Sequence, residues 1–397
     1  MYSDADFAMM RRALALAHKA IYLSSPNPRV GCVLVKRDSS GNDVIIGEGF
    51  TQPPGQDHAE ILVLKAARAA GHDVRGATAY VSLEPCSHFG RTPPCAGALI
   101  EAGVAVVVAA MEDPNPLVSG SGLQALRAAG IEVRCGLLEA EARELNIGFV
   151  SRMTRGLPWV RLKVAASLDG GTALPNGQSQ WITGQAARDD GHAWRARACT
   201  ILTGIGTVRD DDPQLNVRAV DTPRQPRKVV VDSKFRIDEQ AKILRGGEAI
   251  IATAADLNVF ADKVQRLADH SVRVLHLPNT EGKVDLKALM HELADTGTNE
   301  LHVEAGNRLN GALLQAGCVD ELLVYQAPCV LGEARGMFHV GPLENLEQRH
   351  QFAFHTVERI GEDLRLTLRR QTPEAAGGPS AAPPDTPPQI IYSALKQ

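Results

Sequence analysis

The chain has 397 residues, 44% hydrophobic and 22% charged, which is ordinary for soluble globular protein and long enough for two or three domains with their own cores. A formal net charge of −4 and 4% aromatic content argue against nucleic acid or an anionic membrane as partner. No run reaches the roughly 18 consecutive apolar residues that span a bilayer.

The opening segment, MYSDADFAMMRRALALAHKA, places acidic residues ahead of a basic pair and spaces its apolar residues helically, unlike a secretory signal. The spacing predicts a helix from Asp6 to Leu23. The segments VGCVLVKR and DVIIGEGF read as strands joined by the turn-rich DSSGN. A helix starts near His58 and closes at Gly71. Strand ATAYVSL, helix CAGALIEAG, strand VAVVVAAM, helix GLQALRAAG and strand IEVRCG follow. Strands separated by single helices predict parallel pairing in a helix-covered sheet, an α/β class.

A helix over Glu139 to Phe149 leads into SRMTRGLPW, where a domain boundary is expected. A second alternating series follows, with strands at WVRLKVAASLDG, CTILTGIGTV, RKVVVDSKF, EAIIATAAD, VRVLHLP, ELHVEAG and ELLVYQAP. The expected divisions are 1–148, 149–370 and a tail, 371–397, whose Pro, Ala and Gly content predicts disorder. The seven cysteines, Cys32, Cys86, Cys95, Cys135, Cys199, Cys318 and Cys329, are odd in number and scattered, so no disulfide framework is expected. A reducing cytoplasm is the expected setting.

Two short stretches carry the chemistry of the first region, DHAE and EPCSHFGRTPPC. Taken singly, a cysteine pair eight residues apart is more often two buried thiols, and HAE more often a helix start. Taken together, at element ends, His58, Cys86 and Cys95 supply the three N and S ligands of an open catalytic zinc site. A helix start also favours the thiolate that a metal requires. Glu60, two residues beyond His58, points away from the ligand direction and is placed to move protons. His88 is expected to line the substrate pocket. A fourth ligand would instead make the zinc structural, and the second region a nucleotide-binding module.

The motifs SSPNPRVGCVLV, HAEILVL and EPCSHFGRTPPC resemble the deaminase half of the bifunctional riboflavin-biosynthesis deaminase–reductases. The longer cysteine spacing is unlike that of cytidine or transfer-RNA adenosine deaminases. The resemblance implies a cytidine-deaminase-like three-layer αβα domain acting on a diaminopyrimidinone ribosyl phosphate, with Asn27 touching the pyrimidine.

In the second region, TGIGT and EAGNRLNG place glycines after strands and near helix starts, which serve equally as tight turns or as phosphate cradles. Neither is a dinucleotide-binding G-x-G-x-x-G fingerprint. The segments KVAASLDG, SQWITG, RARACTILTGIGTVRDDDPQLNVR, VVVDS and HVEAGNRLNGALL resemble the reductase half of the same family. The resemblance implies a dihydrofolate-reductase-like α/β domain that reduces the ribosyl chain with NADPH. It implies cofactor contacts at Ala165, Trp181, Thr207, Asp211, Ser233 and across Gly306, Asn307, Arg308, Leu309, Asn310, Gly311 and Ala312. Substrate contacts are implied at Ser179, Arg195, Leu215, Arg218 and Glu304, and a homo-oligomer, dimer or tetramer, is expected. Arg195 and Arg218 have the forked donors that suit a phosphate.

Strand alternation puts Arg161, Lys163 and Ala165 on one face. Lys163 therefore faces the expected cofactor cleft, where it either assists reduction or simply pairs with Asp169 or Asp211.

Overall fold

The computed structural model describes residues 2–87 and 94–371. His88 and the tail from 372 onward lie outside the described residues.

The first region runs α1 (Asp4–His18), β1 (Gly31–Arg37), β2 (Asp43–Phe50), α2 (Ala59–Ala69), β3 (Thr78–Val81), α3 (Cys95–Ala102), β4 (Val106–Ala109), α4 (Ser121–Ala128), β5 (Glu132–Cys135), α5 (Glu139–Leu145) and α6 (Ile147–Arg155). Its sheet has the order β2-β1-β3-β4-β5. The expected parallel pairing holds for β3, β4 and β5. β1 is antiparallel to both β2 and β3. The DSSGN connection is too short for a crossover, so β1 and β2 form a hairpin.

Helices cover both faces of this sheet. A Cβ at Gly31 would lie 2.0 Å from the Ala13 carbonyl of α1, and one at Gly49 would lie 2.5 Å from the Ala59 carbonyl of α2. Gly49 is opposite Cys32, the neighbour of Gly31, and adjacent strand positions face opposite ways. The absence of side chains lets both helices approach closely, and the result is the three-layer αβα arrangement.

The second region continues with β6 (Trp159–Ala166), β7 (Gly171–Ala173), α7 (Gln185–Arg197), β8 (Thr200–Gly204), α8 (Ile205–Asp211), β9 (Arg227–Val231), β10 (Ala249–Thr253), α9 (Ala261–Asp269), β11 (Val272–His276), α10 (Leu286–Asp295), β12 (Glu300–Val303), α11 (Asn307–Gln315), β13 (Glu321–Gln326), β14 (Arg335–Gly336), β15 (Phe352–Ile360) and β16 (Asp363–Arg370). Nine strands form one sheet in the order β11-β10-β9-β8-β12-β6-β13-β16-β15. It is parallel from β11 to β13 and ends in the antiparallel hairpin β15–β16. β7 and β14 pair separately.

Several boundaries differ from the sequence reading. α1 stops at His18, and the chain then turns. The predicted Glu139–Phe149 helix breaks at Asn146, whose side-chain amide both donates to the Arg29 carbonyl and accepts from the Arg29 amide. SRMTR, read as an interruption, is helical and completes α6, which ends at Gly156 in the left-handed conformation. IGTV, read as strand, starts α8. The β15–β16 hairpin was not anticipated.

Candidate functional site

The metal-type cluster is assembled by the ends of three elements. His58 is the N-cap of α2, Cys95 opens α3, and Cys86 lies in the loop after β3. His58 Nδ1 is 3.3 Å from Cys95 Sγ and 3.7 Å from Cys86 Sγ, and the Cys95 amide donates to Cys86 Sγ at 3.3 Å. The ligand atoms of the three residues all lie within 4.8 Å of one another. A tetrahedral zinc with ordinary bond lengths separates its N and S donors by about 3.6 Å, so this set fits the ion.

Glu60 sits in the first turn of α2 and is 3% exposed. Burial first, and the Cys86 charge second, push its carboxyl up to about 7. Hydrogen bonds from Cys95 and His58 hold the Cys86 thiol down at about 4, against the opposing effect of burial. The site therefore brings two sulfurs and an imidazole together beside a carboxyl suited to both taking and giving a proton.

The Cys86 loop is fixed from behind by a residue that the sequence reading missed. Glu84 is buried, and its carboxylate accepts from the amides of Asp113 and Gly120 at 2.9 Å, Gly122 at 2.7 Å and Leu123 at 3.3 Å. Three of these amides belong to the start of α4, where negative charge is favoured. A Cβ at Gly122 would meet the Pro85 carbonyl at 2.0 Å, so this loop and α4 are in direct contact. Glu84 stands beside the Pro-Cys pair in LEPC, but nothing in the sequence pattern names its partners.

Asn27 lies in the α1–β1 loop, with its amide donating to the Ser24 carbonyl at 2.7 Å. This loop rests against the second domain.

In the second domain the expected substrate residues converge in part. Arg195 of α7 forms a bidentate pair with Glu304, which follows β12, through Nε–Oε1 and through Nη2–Oε2 at 2.9 Å. Arg195 Nη1 also donates to the Asn216 carbonyl at 3.4 Å, and Arg218 donates to the Asn216 side chain at 2.7 Å. Leu215, buried and at positive φ (44°), begins that segment. Ser179 lies in the β7–α7 loop, half-buried.

Lys163 points to the same place. Its Nζ is 4.0 Å from Glu304 Oε2, so its acidic partner is Glu304 and neither Asp169 nor Asp211. Burial lowers the Lys163 ammonium from its ordinary value, with Glu304 partly opposing the shift. Asp169 is engaged by Ser167 Oγ and by the amides of Leu331 and Gly332.

The expected cofactor residues are distributed over neighbouring strand ends and helix starts. Ala165 is in β6, opposite Tyr325 of β13, and Thr207 and Asp211 are in α8. Ser233 follows β9, and its hydroxyl accepts from the Val284 amide. Trp181 is 69% exposed, with the Arg188 guanidinium 4.6 Å from its ring centre. Gly306 is the N-cap of α11, whose first turn contains Asn307, Arg308 and Leu309. Asn310 and Gly311 face the 337–339 segment: Asn310 donates to the Met337 carbonyl at 3.1 Å, and a Cβ at Gly311 would meet the His339 carbonyl at 2.0 Å. Ala312 is half-buried on the same helix.

No helix among the described residues is long and apolar enough to cross a membrane.

Residues 3–111 match the cytidine and deoxycytidylate deaminase zinc-binding region, and residues 158–366 match the RibD C-terminal domain. The riboflavin biosynthesis protein RibD of Escherichia coli (strain K12) is 46% identical over 377 residues, spanning 91% of this chain and 99% of that protein. That of Haemophilus influenzae is 44% identical over 382 residues, 92% and 98% of the two chains. Among solved structures, form 1 of Acinetobacter baumannii RibD superposes with a TM-score of 0.84 at 43% identity, over 92% of this chain and 99% of that one. The diaminohydroxyphosphoribosylaminopyrimidine deaminase/5-amino-6-(5-phosphoribosylamino)uracil reductase of Thermotoga maritima gives 0.79 at 30% identity, over 92% and 99%. Similarity across nearly the whole chain, covering both halves, makes this chain a member of the RibD family of bifunctional riboflavin-biosynthesis enzymes, with a zinc-binding deaminase half and an NADPH-dependent reductase half.

Proposed function

We propose that His58, Cys86 and Cys95 hold the zinc and that Glu60 is the proton carrier of deamination. Zinc, when bound, supplies a Lewis acid that activates water at the amino-bearing carbon of the pyrimidinone. Glu60 takes the proton of that water and delivers it to the departing amine. The single observation that carries this reading is the convergence of two sulfurs and one imidazole nitrogen at zinc-like spacing beside a buried carboxyl. Metal analysis of Cys86→Ser tests it: zinc should fall well below one per chain, and an undiminished content rejects the assignment.

In the reductase half, NADPH supplies hydride when bound. Arg195 and Arg218, joined through Asn216, grip the substrate phosphate, and Glu304 orients the sugar while holding Arg195 in place. Ser179 and Leu215 complete the substrate contacts. Ala165, Trp181, Thr207, Asp211, Ser233 and the 306–312 stretch line the cofactor cleft. The substrate is the diaminopyrimidinone ribosyl phosphate, deaminated first and then reduced to the ribityl chain.

The division of labour at 1–148 and 149–370 belongs to the same reading, with the chain crossing between the two through α6. A homo-oligomeric assembly is supported by the exposed Phe354 and Val357 on the edge strand β15. A cytoplasmic setting is supported by all seven cysteines being free.

A further inference from the structure

We propose that the reductase domain completes the pyrimidine site of the deaminase by holding the loop that carries Asn27, with Asn299 as the positioning residue. The inference rests on the reading of Asn27 as a pyrimidine contact.

The loop joining α1 to β1 is gripped on both sides of Asn27 by the other domain. Before it, Ser25 Oγ donates to Cys199 Sγ at 2.9 Å, and the Pro26 carbonyl accepts from Asn299 Nδ2 at 2.8 Å. After it, the Arg29 guanidinium reaches Glu300 Oε1 at 2.7 Å, and it also donates to the Leu145 carbonyl of its own domain at 2.6 Å. A Cβ at Gly297 would stand 3.4 Å from the Pro26 ring, so the loop also packs against the turn ahead of β12.

The residues that do the holding are themselves fixed. Asn299 Oδ1 accepts from Arg152 Nε at 2.6 Å, and Glu300 Oε2 accepts from Arg161 at 3.0 Å and Arg197 at 2.6 Å. The amides of Asn299 and Glu300 donate to the same Cys199 sulfur that receives Ser25, at 3.3 and 3.4 Å. Asn299 is 7% and Glu300 1% exposed, so the contacts form away from water, where an unmade hydrogen bond is costly.

The metal-type residues are built differently. The hydrogen bonds of His58, Cys86 and Cys95 connect them to one another, within the first domain. The reductase domain thus bears on where the pyrimidine sits and leaves the zinc chemistry to the first domain. A buried amide donor that fixes a substrate-binding loop should appear in KM and leave kcat alone.

The test uses the full-length protein. Asn299→Asp keeps the acceptor for Arg152 but turns an oxygen toward the Pro26 carbonyl. It should raise the deaminase KM about ten-fold while kcat stays within about two-fold. Zinc content, and reductase kinetics on substrate already deaminated, should match the unmodified protein. Ser25→Ala should shift KM in the same direction by less. A normal deaminase KM in a folded Asn299→Asp protein overturns the inference, and if that variant does not fold, a normal KM in Ser25→Ala overturns it instead. Asn27→Ala separates the two readings. If it raises KM while Asn299→Asp does not, only the inference falls; if it leaves KM unchanged, the assignment of Asn27 falls and the inference with it.

Discussion

Lys163 and Glu304 face each other across the neighbouring strands β6 and β12, ammonium to carboxylate at 4.0 Å, and Arg195 grips the same carboxylate from α7. One half-buried acid therefore arranges two cations in the reductase cleft. Removing the charge of Lys163 while keeping its length separates chemistry from packing. Lys163→Met is expected to slow reduction about 10²-fold with NADPH affinity nearly intact and deamination unaffected. Unchanged turnover in a steady-state assay would make Lys163 a structural counter-ion of Glu304.

Glu60→Gln keeps the shape of the side chain and loses the proton. Deamination should fall by about 10²–10⁴-fold, the usual weight of a positioned proton carrier. Zinc content and reduction of deaminated substrate should be retained. Deamination near the normal rate would remove Glu60 from the mechanism.

Glu84 gives the Cys86 loop its shape through backbone amides alone. Glu84→Gln replaces charged acceptors in a buried setting and should cost about 2–3 kcal/mol of stability. Because Cys86 is two residues away, zinc affinity should also weaken by roughly 10–100-fold, as for other outer-shell partners. Gly122→Ala should act in the same direction, since its methyl group would displace the Pro85 carbonyl. Zinc titration against a competing chelator measures both, and normal affinity in both variants would detach Glu84 from the metal site.

The pattern of residue types made the metal cluster legible, because His58, Cys86 and Cys95 fall at element ends where ligands are held by turns and helix starts. Alternation also put Arg161, Lys163 and Ala165 on one face; Arg161 lies over the Trp194 ring and Lys163 over the Tyr325 ring. Glu84 and Asn299 were not legible, because each acts on backbone groups brought close only by the fold. The Asn299–Pro26 pair is separated by 273 positions in sequence. The β15–β16 hairpin was legible but passed over: β16, DLRLTLRR, alternates apolar and polar residues after a short turn, which is a strand signal, while Phe354 and Val357 of β15 are left in solvent. Arg161 is 1% exposed and bound to Glu300 and Glu321, partners that alternation does not name.

Acid should loosen the contact between the domains. Burial pushes the Glu300 carboxyl up, but Arg197, Arg29 and Arg161 outweigh it and hold the group well below the ordinary carboxylate range. A depressed folded value means that the stabilisation is complete above the unfolded value, about 4.3, and is lost as pH falls below it toward the folded value. Thermal unfolding should therefore be insensitive to Glu300 between about pH 7 and 5 and decline below about pH 4. Glu300→Gln should cost about 3–5 kcal/mol at neutral pH, since the buried Arg29 and Arg161 and the half-buried Arg197 lose their shared charged partner, and the acid-side decline should flatten. A Glu300→Gln protein with normal stability and an unchanged acid limb would contradict this account of the interface.

The central claim is that one chain carries out two ordered steps at two separate sites. Its most direct test is incubation of the protein with the diaminopyrimidinone ribosyl phosphate, with and without NADPH, and identification of the products by mass. Without NADPH the product should have one amino group replaced by oxygen and the ribosyl chain intact. With NADPH it should gain two hydrogens on that chain as well. Reduction of the amino-bearing substrate without prior loss of ammonia, or no deamination in a zinc-loaded protein, would contradict the account.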